Sequence, residues 1–501
     1  MNPRVIMSVR LFLLFIVAAS VLSSPAEDTR KNVIMIAVDD LRPMLGCYGD
    51  TRIKTPNIDL LARSGTLFER AYCNYSKCGP SRLSLMTGLR PGSVQVYGHG
   101  DAEPAAFRAR RPDAISVARW LKDHGYETRS FGKIDHDGWQ VASDWSRAPF
   151  AGREDEMLEI VDEENPDKPT LIADRHSCPV MQAPEVADDH LFEGRMTSEV
   201  IKQLNEVQEV KAKPFFFAVG YRRPHLPFVA PKRFFDLYEK DETWLAPNPE
   251  PPEGSPPFAW FNSDGYASAA KKFGLNIPEQ PDRETAIALN GYEMRSYLDV
   301  PREGPISRER QIDLVRAYAA CVSYVDSQVG RILDSLDQSG LRENTIVMLW
   351  SDHGWHLGEM SAWGKMTNYE VGTRVPLIVS VPGLAGGRTG AIVELVDLYP
   401  TICELTGVSA PPHLEGDSFV SVLEDPRAAT DGVAFHDYVR HRSIHTGRAV
   451  RTAKFRCVIW YDREGKVEFE ELYDLEEDPN ETVNIAAENQ DRVKKLRSLL
   501  E

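Results

Sequence analysis

Three short clusters in this sequence hold residue types that do chemistry together: Asp39-Asp40, Cys78-Gly79-Pro80-Ser81-Arg82 and Asp352-His353. Cys78 opens a run continuing Leu83-Ser84-Leu85-Met86-Thr87-Gly88, whose apolar spacing is helical and in which Pro80 suits a first helical position. A helix amino terminus presents backbone N–H groups and the positive end of the helix dipole, so a nucleophile at Cys78 would meet an anionic ester there. Adjacent carboxylates such as Asp39 and Asp40 repel each other unless a cation lies between them. With Asp352 and His353 they make four oxygen or nitrogen donors suited to one hard divalent ion. Each cluster alone has an ordinary explanation, a buried cysteine beside a helix-capping proline or a strand-end turn with solvated acids. Together they point to a site.

The elements around them are those an α/β site needs. Val33 to Val38 is an apolar, β-branched run ending at Asp39, and 345–350 is another ending at Ser351-Asp352-His353, the pattern of buried strands whose carboxyl ends carry polar residues. Further strands are predicted at 126–131 and 215–220, and helices at 57–64, 80–87, 114–124, 308–337 and 397–406. This alternation predicts an α/β fold with a central, mostly parallel sheet flanked by helices. Residues 141–193 and 240–306 lack clear periodicity and read as long excursions that shape a pocket. After an irregular stretch to 425 the pattern changes to short strands at 432–438, 448–452, 455–461 and 468–473, then a charged amphipathic helix at 487–500. Domains are therefore expected at 27–425, catalytic, and 426–501, a smaller α+β subdomain with a short antiparallel sheet.

The chain has 501 residues, 42% hydrophobic and 27% charged, which excludes a disordered or fibrous protein. Lys and Arg number 58 against 75 Asp and Glu, a net charge of −17 that disfavours nucleic-acid binding. Residues 1–26 read as an export signal: Arg4 and Arg10, an apolar run from Leu11 to Leu22, then small residues. That run is short for a bilayer span, so an exported protein without stable membrane insertion is expected, with an uncleaved anchor as the alternative. Seven cysteines are too few for a disulfide scaffold. The six besides Cys78 are even in number, but no pairing follows from sequence. Asn74-Tyr75-Ser76 and Asn480-Glu481-Thr482 fit glycosylation sequons.

Cys78-Gly79-Pro80-Ser81-Arg82 resembles the signature of the sulfatase family, in which the cysteine is oxidised after synthesis to formylglycine. Val38-Asp39-Asp40-Leu41-Arg42-Pro43, Leu45-Gly46-Cys47-Tyr48-Gly49-Asp50, Gly220-Tyr221-Arg222-Arg223-Pro224-His225-Leu226-Pro227-Phe228 and Ser351-Asp352-His353-Gly354-Trp355 are similar to the iduronate-2-sulfatase branch. The resemblance runs from about residue 32 to 405 and implies an alkaline-phosphatase/sulfatase-like fold. It also implies one Ca2+ ion held by Asp39, Asp40, Asp352, His353 and the modified Cys78, with Arg82 holding the formylglycine and the calcium carboxylates. It places Lys133 on the sulfate, His136 beside the formylglycine hydroxyls, and His225 with Lys365 near the leaving-group oxygen. The expected partners are a sulfated saccharide, by resemblance one ending in a 2-O-sulfated uronic acid, and a formylglycine-generating or other sulfatase-maturing enzyme.

The chemistry agrees with those roles. An aldehyde hydrate offers two hydroxyls on one carbon, one to attack sulfur and one whose deprotonation expels sulfate; a plain serine or cysteine cannot release sulfate that way. His136 is the expected base for sulfate release, and His225 with Lys365 the expected acid for the leaving alcohol. Arg42, Arg82, Lys133, Arg222, Arg223, Lys365 and Arg374 are the candidates for concentrating positive charge in an acidic protein. His356 and Glu359-Met360-Ser361-Ala362 depart from the branch's pattern; His356 is either a substrate contact or an ordinary loop histidine. Two alternatives stand beside this reading: a formylglycine-dependent phosphonate or phosphate ester hydrolase of the same fold, and a non-catalytic sulfated-glycan-binding protein. A two-metal phosphoesterase is disfavoured, because Cys78 stands at the nucleophile position and Tyr221 four residues before His225.

Overall fold

Seven strands build the central sheet of the computed structural model, which describes residues 30–150, 178–210, 213–428, 432–440 and 444–501, with the backbone of two short strands at 160–161 and 169–170. The expected export signal at 1–26 lies outside the described residues. In chain order the strands are β1 (Asn32–Val38), β2 (Thr66–Tyr72), β3 (Glu127–Gly132), β4 (Phe215–Tyr221), β5 (Thr345–Ser351), β6 (Arg374–Ser380) and β7 (Gly387–Glu394). Their spatial order is β7-β2-β6-β5-β1-β4-β3. Only β6 runs against the others, so the sheet is mixed and mostly parallel.

β1, β4 and β5 are buried along their whole length, as strands covered on both faces must be. Alternate residues of β1 feed opposite layers. Ile34, Ile36 and Val38 pack in the layer that holds the long helix α1 (Arg308–Gln338), and Val33, Met35 and Ala37 pack in the layer of α2 (Leu398–Thr406). The register levels the strand ends: Val38 pairs with both Ser351 and Tyr221, and Gly132 pairs with Gly220. Every site residue that follows β1, β3, β4 or β5 therefore emerges at one edge of the sheet. The β3–β4 approach requires glycine, since a Cβ on Gly220 would lie 2.0 Å from the Lys133 carbonyl oxygen.

Three strands, β2, β6 and β7, were not expected from the sequence. Pro376 interrupts the apolar run of β6, and the β6–β2 register shifts between Val375 and Leu377 to accommodate it. β2 carries Glu69 and Arg70, and β7 opens on glycine with a register shift of its own. The helix expected at 80–87 starts earlier, at Cys78, and spans Cys78–Thr87. Ser81 N–H bonds to the Lys77 carbonyl at 3.0 Å, so Pro80 sits inside the first turn, where its missing N–H costs nothing.

The carboxyl-terminal strands β8 (Ala434–Arg440), β9 (His445–Arg451), β10 (Phe455–Tyr461) and β11 (Val467–Asp474) form an antiparallel sheet in sequence order, followed by the helix Gln490–Arg497. This sheet docks against the segment leading into Cys78: Asn74 Nδ2 donates to the Phe435 carbonyl at 3.1 Å, and Tyr75 bridges to Asp437. Glu370 joins the two units by accepting from Arg451 at 3.1 Å and Arg456 at 2.5 Å.

Candidate active site

At the levelled sheet edge, Asp39 continues the β1 ladder by donating its N–H to the Tyr221 carbonyl at 3.0 Å, and Asp40 then turns into the left-handed region with φ 60°. That turn separates the two adjacent carboxylates. One atom from each of Asp39, Asp40, Cys78 and His353 lies within 4.8 Å of the other three, and all four residues are buried. Asp352 stands beside this group: its Oδ1 accepts from Asp40 N–H at 3.2 Å, and its Oδ2 lies 3.6 Å from His353 Nε2. His353 Nδ1 is 3.0 Å from the Gly354 carbonyl, which can only accept, so Nδ1 carries the proton and Nε2 turns its lone pair to the cluster. That Nε2 is 3.1 Å from Cys78 Sγ.

Arg82 lies four residues along the same helix and is fully buried. Its Nε donates to Asp352 Oδ2 at 2.8 Å, its Nη2 to Asp39 Oδ1 at 3.2 Å, and its Nη1 to the carbonyls of Lys133 and Ile134. Lys133 Nζ pairs with Asp39 Oδ2, and Lys365 Nζ with Asp40 Oδ1 at 2.8 Å and Cys78 Sγ at 3.2 Å. Burial alone would raise the Asp39 carboxyl, but Lys133 and Arg82 outweigh it and hold Asp39 well below the usual carboxylate range. Burial dominates at Asp40 and raises it, although Lys365 opposes, and its Oδ2 accepts no hydrogen bond. Burial and the Asp39 charge push the Cys78 thiol up to about 12, so the unmodified side chain is not a thiolate nucleophile at neutral pH.

A cavity of 440 Å³ opens over this floor, lined by Cys78, Lys133, His136, Arg222, His225 and Lys365 among others. All six expected catalytic residues are thus at the site, five on the cavity wall and Arg82 beneath it. Burial, with Lys365 nearby, keeps His225 neutral; burial and Lys133 push His136 down to about 3. Lys365 is held protonated because Asp40 outweighs the cost of burial.

The expected charge cluster divides. Arg222 lines the cavity and pairs with Asp137 at 2.5 Å, whereas Arg223 turns back to the His225 carbonyl at 3.2 Å. Arg42 is bound to Glu359 at 2.7 Å, Arg374 donates to the Glu69 carbonyl at 2.7 Å, and both line a separate cavity. His356 lines neither that cavity nor the one over Cys78: it is buried in a two-residue strand paired with Gly364, with Nε2 2.8 Å from Thr367 Oγ1. Among the described residues no two cysteines are joined in a disulfide. Asn74 is buried and donates to Glu394 Oε1 at 2.7 Å, so the first sequon has no room for a glycan; Asn480 is exposed.

Residues 31–408 match the family described as Sulfatase, and residues 358–501 match the one described as N-sulphoglucosamine sulphohydrolase, C-terminal. The chain belongs to the sulfatase family. It is 36% identical over 425 residues to iduronate 2-sulfatase of Homo sapiens, covering 77% of this chain and 71% of that one. Sulfate ester hydrolysis is accordingly its activity. The fold is shared with phosphonate monoester hydrolase of Agrobacterium radiobacter, at a TM-score of 0.68 and 23% identity over 94% of this chain and 95% of that one. A structure solved with its substrate D-glucosamine-2-N,6-O-disulfate superposes at 0.65, with 23% identity over 94% and 97% of the two chains.

This sulfatase places further side chains at the site that sequence reasoning missed. Glu293 is buried with Oε1 3.6 Å from His225 Nε2 and 3.8 Å from Lys365 Nζ; it and Tyr297 come from the excursion expected at 240–306. His99 accepts from Gly79 N–H at 3.2 Å and stacks on His136 with ring centroids 3.9 Å apart. Asp137 had a local signal in Asp135-His136-Asp137, whereas Glu293 and His99 stand in segments without periodicity and are brought in by tertiary folding.

Proposed function

We propose that this sulfatase releases the 2-O-sulfate of a uronic acid in a saccharide, using a formylglycine made from Cys78 and one calcium ion. The observation that carries the reading is the buried Asp39-Asp40-Cys78-His353 group beneath a cavity walled by Lys133, His136, His225 and Lys365. The donor set fits the ion. Asp40 Oδ2 is buried and accepts from no group, and ligand atoms of Asp39, Asp40, Cys78 and His353 converge on one spot, with Asp352 Oδ2 3.6 Å from His353 Nε2 at its side. Those residues would hold the calcium, with residue 78 completing the set. A hard cation takes oxygen in preference to sulfur, and conversion of Cys78 to a hydrated aldehyde replaces the soft Sγ by hydroxyl oxygens.

When present, the hydrate supplies one hydroxyl to attack sulfur and a second whose deprotonation frees sulfate, while the ion polarises a sulfuryl oxygen. Arg82 fixes Asp39 and Asp352 through charge-assisted hydrogen bonds and keeps the carboxylates oriented without lining the cavity itself. Lys133 and Lys365 bring two ammonium groups to the cavity floor, where charge on the sulfuryl oxygens is stabilised in a dry setting. Lys365 is the protonated member of the pair with His225 and holds a proton at Nζ for the departing alcohol oxygen. Neutral His136 accepts a proton during sulfate release.

The similarity to human iduronate 2-sulfatase supports the uronate 2-O-sulfate as the substrate. The pattern at residues 1–26 supports export, and among the described residues no helix is long and apolar enough to cross a membrane. The test is mass spectrometry of the peptide spanning residues 71–82 from protein coexpressed with a formylglycine-generating enzyme. A loss of about 18 Da at Cys78, together with sulfate release from the 2-O-sulfated uronate, is the expected result. An unmodified thiol after contact with a competent maturase overturns it, and faster turnover of a phosphonate ester than of any sulfate ester replaces the substrate.

A further inference from the structure

His136 lines the cavity over Cys78, yet among the described residues no hydrogen bond is made to either of its ring nitrogens. Nδ1 is buried, which leaves Nε2 as the nitrogen that meets the cavity. A histidine that moves a proton ordinarily has its tautomer and ring plane fixed by a bond at the other nitrogen. Aromatic rings take that place here. His99 stacks on His136 with centroids 3.9 Å apart and planes at 22°, and Trp139 meets it edge to face at 5.2 Å and 77°.

His99 is itself anchored beside the nucleophile position. Its Nε2 lies 3.2 Å from the Gly79 N–H, which can only donate, so Nε2 offers its lone pair and Nδ1 carries the proton. Gly79 follows Cys78 in the first turn of that helix, where the helix itself gives the N–H no acceptor. The fit leaves little room: a Cβ on Gly79 would lie 2.8 Å from Trp139 Cη2 and 2.9 Å from His99 Cδ2. A small apolar cluster holds the segment, since Val94 and Val96, just before His99, pack with Leu89, Phe107 and Trp139. The two rings that bound His136 are therefore carried by one core, and His99 bonds that core to the helix of residue 78.

Building on the reading of His136 as the base for sulfate release, we propose that His99 is the positioning residue that orients it. Stacking sets the plane of the His136 ring, and the bond to Gly79 sets its distance from residue 78. Without His99 the ring can turn, and Nε2 no longer keeps one direction toward the cavity; a misplacement of about 1 Å costs about 100-fold in rate. The role is confined to the step in which His136 takes a proton. Departure of the alcohol lies with His225 and Lys365 and does not pass through His99.

Two measurements test this. The first uses full-length protein with Cys78 unmodified, labelled with 13C at histidine Cε1, the His136 signal being assigned by its loss in His136→Ala. His99→Ala is expected to shift that signal downfield as the ring current of the stack is lost, and His99→Phe to keep it upfield. The second uses matured enzyme on 4-nitrophenyl sulfate, in samples matched for conversion of Cys78. His99→Ala should lower kcat about 100-fold with little change in KM, and 4-nitrophenol should appear in a burst of about one per active site before the slow steady state. His99→Phe should recover most of kcat, whereas His99→Asn, which keeps an acceptor for Gly79 but no ring, should not. Added to His136→Ala, His99→Ala should cost nothing further. A His136 signal unmoved by His99→Ala, a parent-like kcat in that variant, or losses that multiply in the double variant overturn the proposal. A parent-like kcat in His136→Ala overturns the base and with it the residue that orients it. Absence of sulfate release from the matured parent overturns the sulfatase mechanism itself, whatever the ring signal does, so the two failures are told apart.

Discussion

Lys365 Nζ lies 2.8 Å from Asp40 Oδ1, which ties the loop after β5 to the end of β1 across the floor of the cavity. The pair holds the ammonium group charged against the cost of burial and aims it at Cys78 Sγ, 3.2 Å away. On the proposed mechanism Lys365→Met removes the proton donor to the departing oxygen, and it leaves Asp40 buried beside Asp39. The expected result is a fall in kcat of about 10²–10³-fold with a much smaller change in KM, measured by sulfate release. A variant with near-normal kcat would remove Lys365 from the chemistry.

Arg82 contributes mainly to structure and orientation. It is wholly buried between Asp39 and Asp352, so Arg82→Met keeps an apolar stem of similar length, takes the cation from Asp352 and leaves Asp39 with Lys133 alone. Breaking a buried ion pair from one side costs about 3–5 kcal/mol. A lowered denaturation midpoint in urea, with sulfate release lost, is expected; an unchanged midpoint would show that the cluster carries no net electrostatic demand.

Much of this site was legible in the sequence because its residues sit directly after the predicted strands. Asp39-Asp40 and Asp352-His353 follow runs that are buried throughout, and a parallel sheet must bring such ends to one edge. Lys133 and Arg222 follow the predicted strands at 126–131 and 215–220 in the same way. β6 was hidden by Pro376, whose effect on the ladder is absorbed by a register shift that no local pattern announces. Glu293 was hidden for a different reason: it reaches the site only through an irregular excursion. Arg42 shows the opposite case: it was one of seven candidates for concentrating positive charge, but Glu359, distant in sequence, captures it.

If calcium fills the group of Asp39, Asp40 and His353 as proposed, its removal affects activity and stability together. Without a cation Asp40 retains an unpartnered buried oxygen beside the Asp39 charge. Chelation is expected to abolish sulfate release and lower the melting temperature, and calcium should restore both. A ligand present at about 100 times its Kd contributes roughly 2.7 kcal/mol to the native state. Full activity in a preparation shown by elemental analysis to be metal-free would exclude the ion.

Stability should also depend on pH through groups far from the site. Burial pushes Asp326 up to about 6, against the hydrogen bonds it accepts from Ile58 and Asn57, and burial likewise raises the Glu394–Asp397 pair. A carboxyl raised in the folded state binds more protons there than in the unfolded chain, so its ionisation destabilises the fold as pH climbs from about 4 through the raised value. Glu370 acts in the other direction: Arg451 and Arg456 outweigh burial and hold it at about 2, so its stabilisation is present at neutral pH and is lost as pH falls below about 4. Buried histidines oppose the raised carboxyls: burial holds His136 at about 3 and His356 at about 4, so below about pH 6.5 they take up protons only in the unfolded chain and the fold loses stability. Asp326→Asn isolates one carboxyl from that background. The melting temperature of the variant relative to the parent is expected to be more favourable at pH 7.5, where Asp326 is ionised in the parent, than at pH 5, measured in about 0.5 M sodium chloride to screen the surface charge. An equal difference at both pH values would show that burial does not raise Asp326.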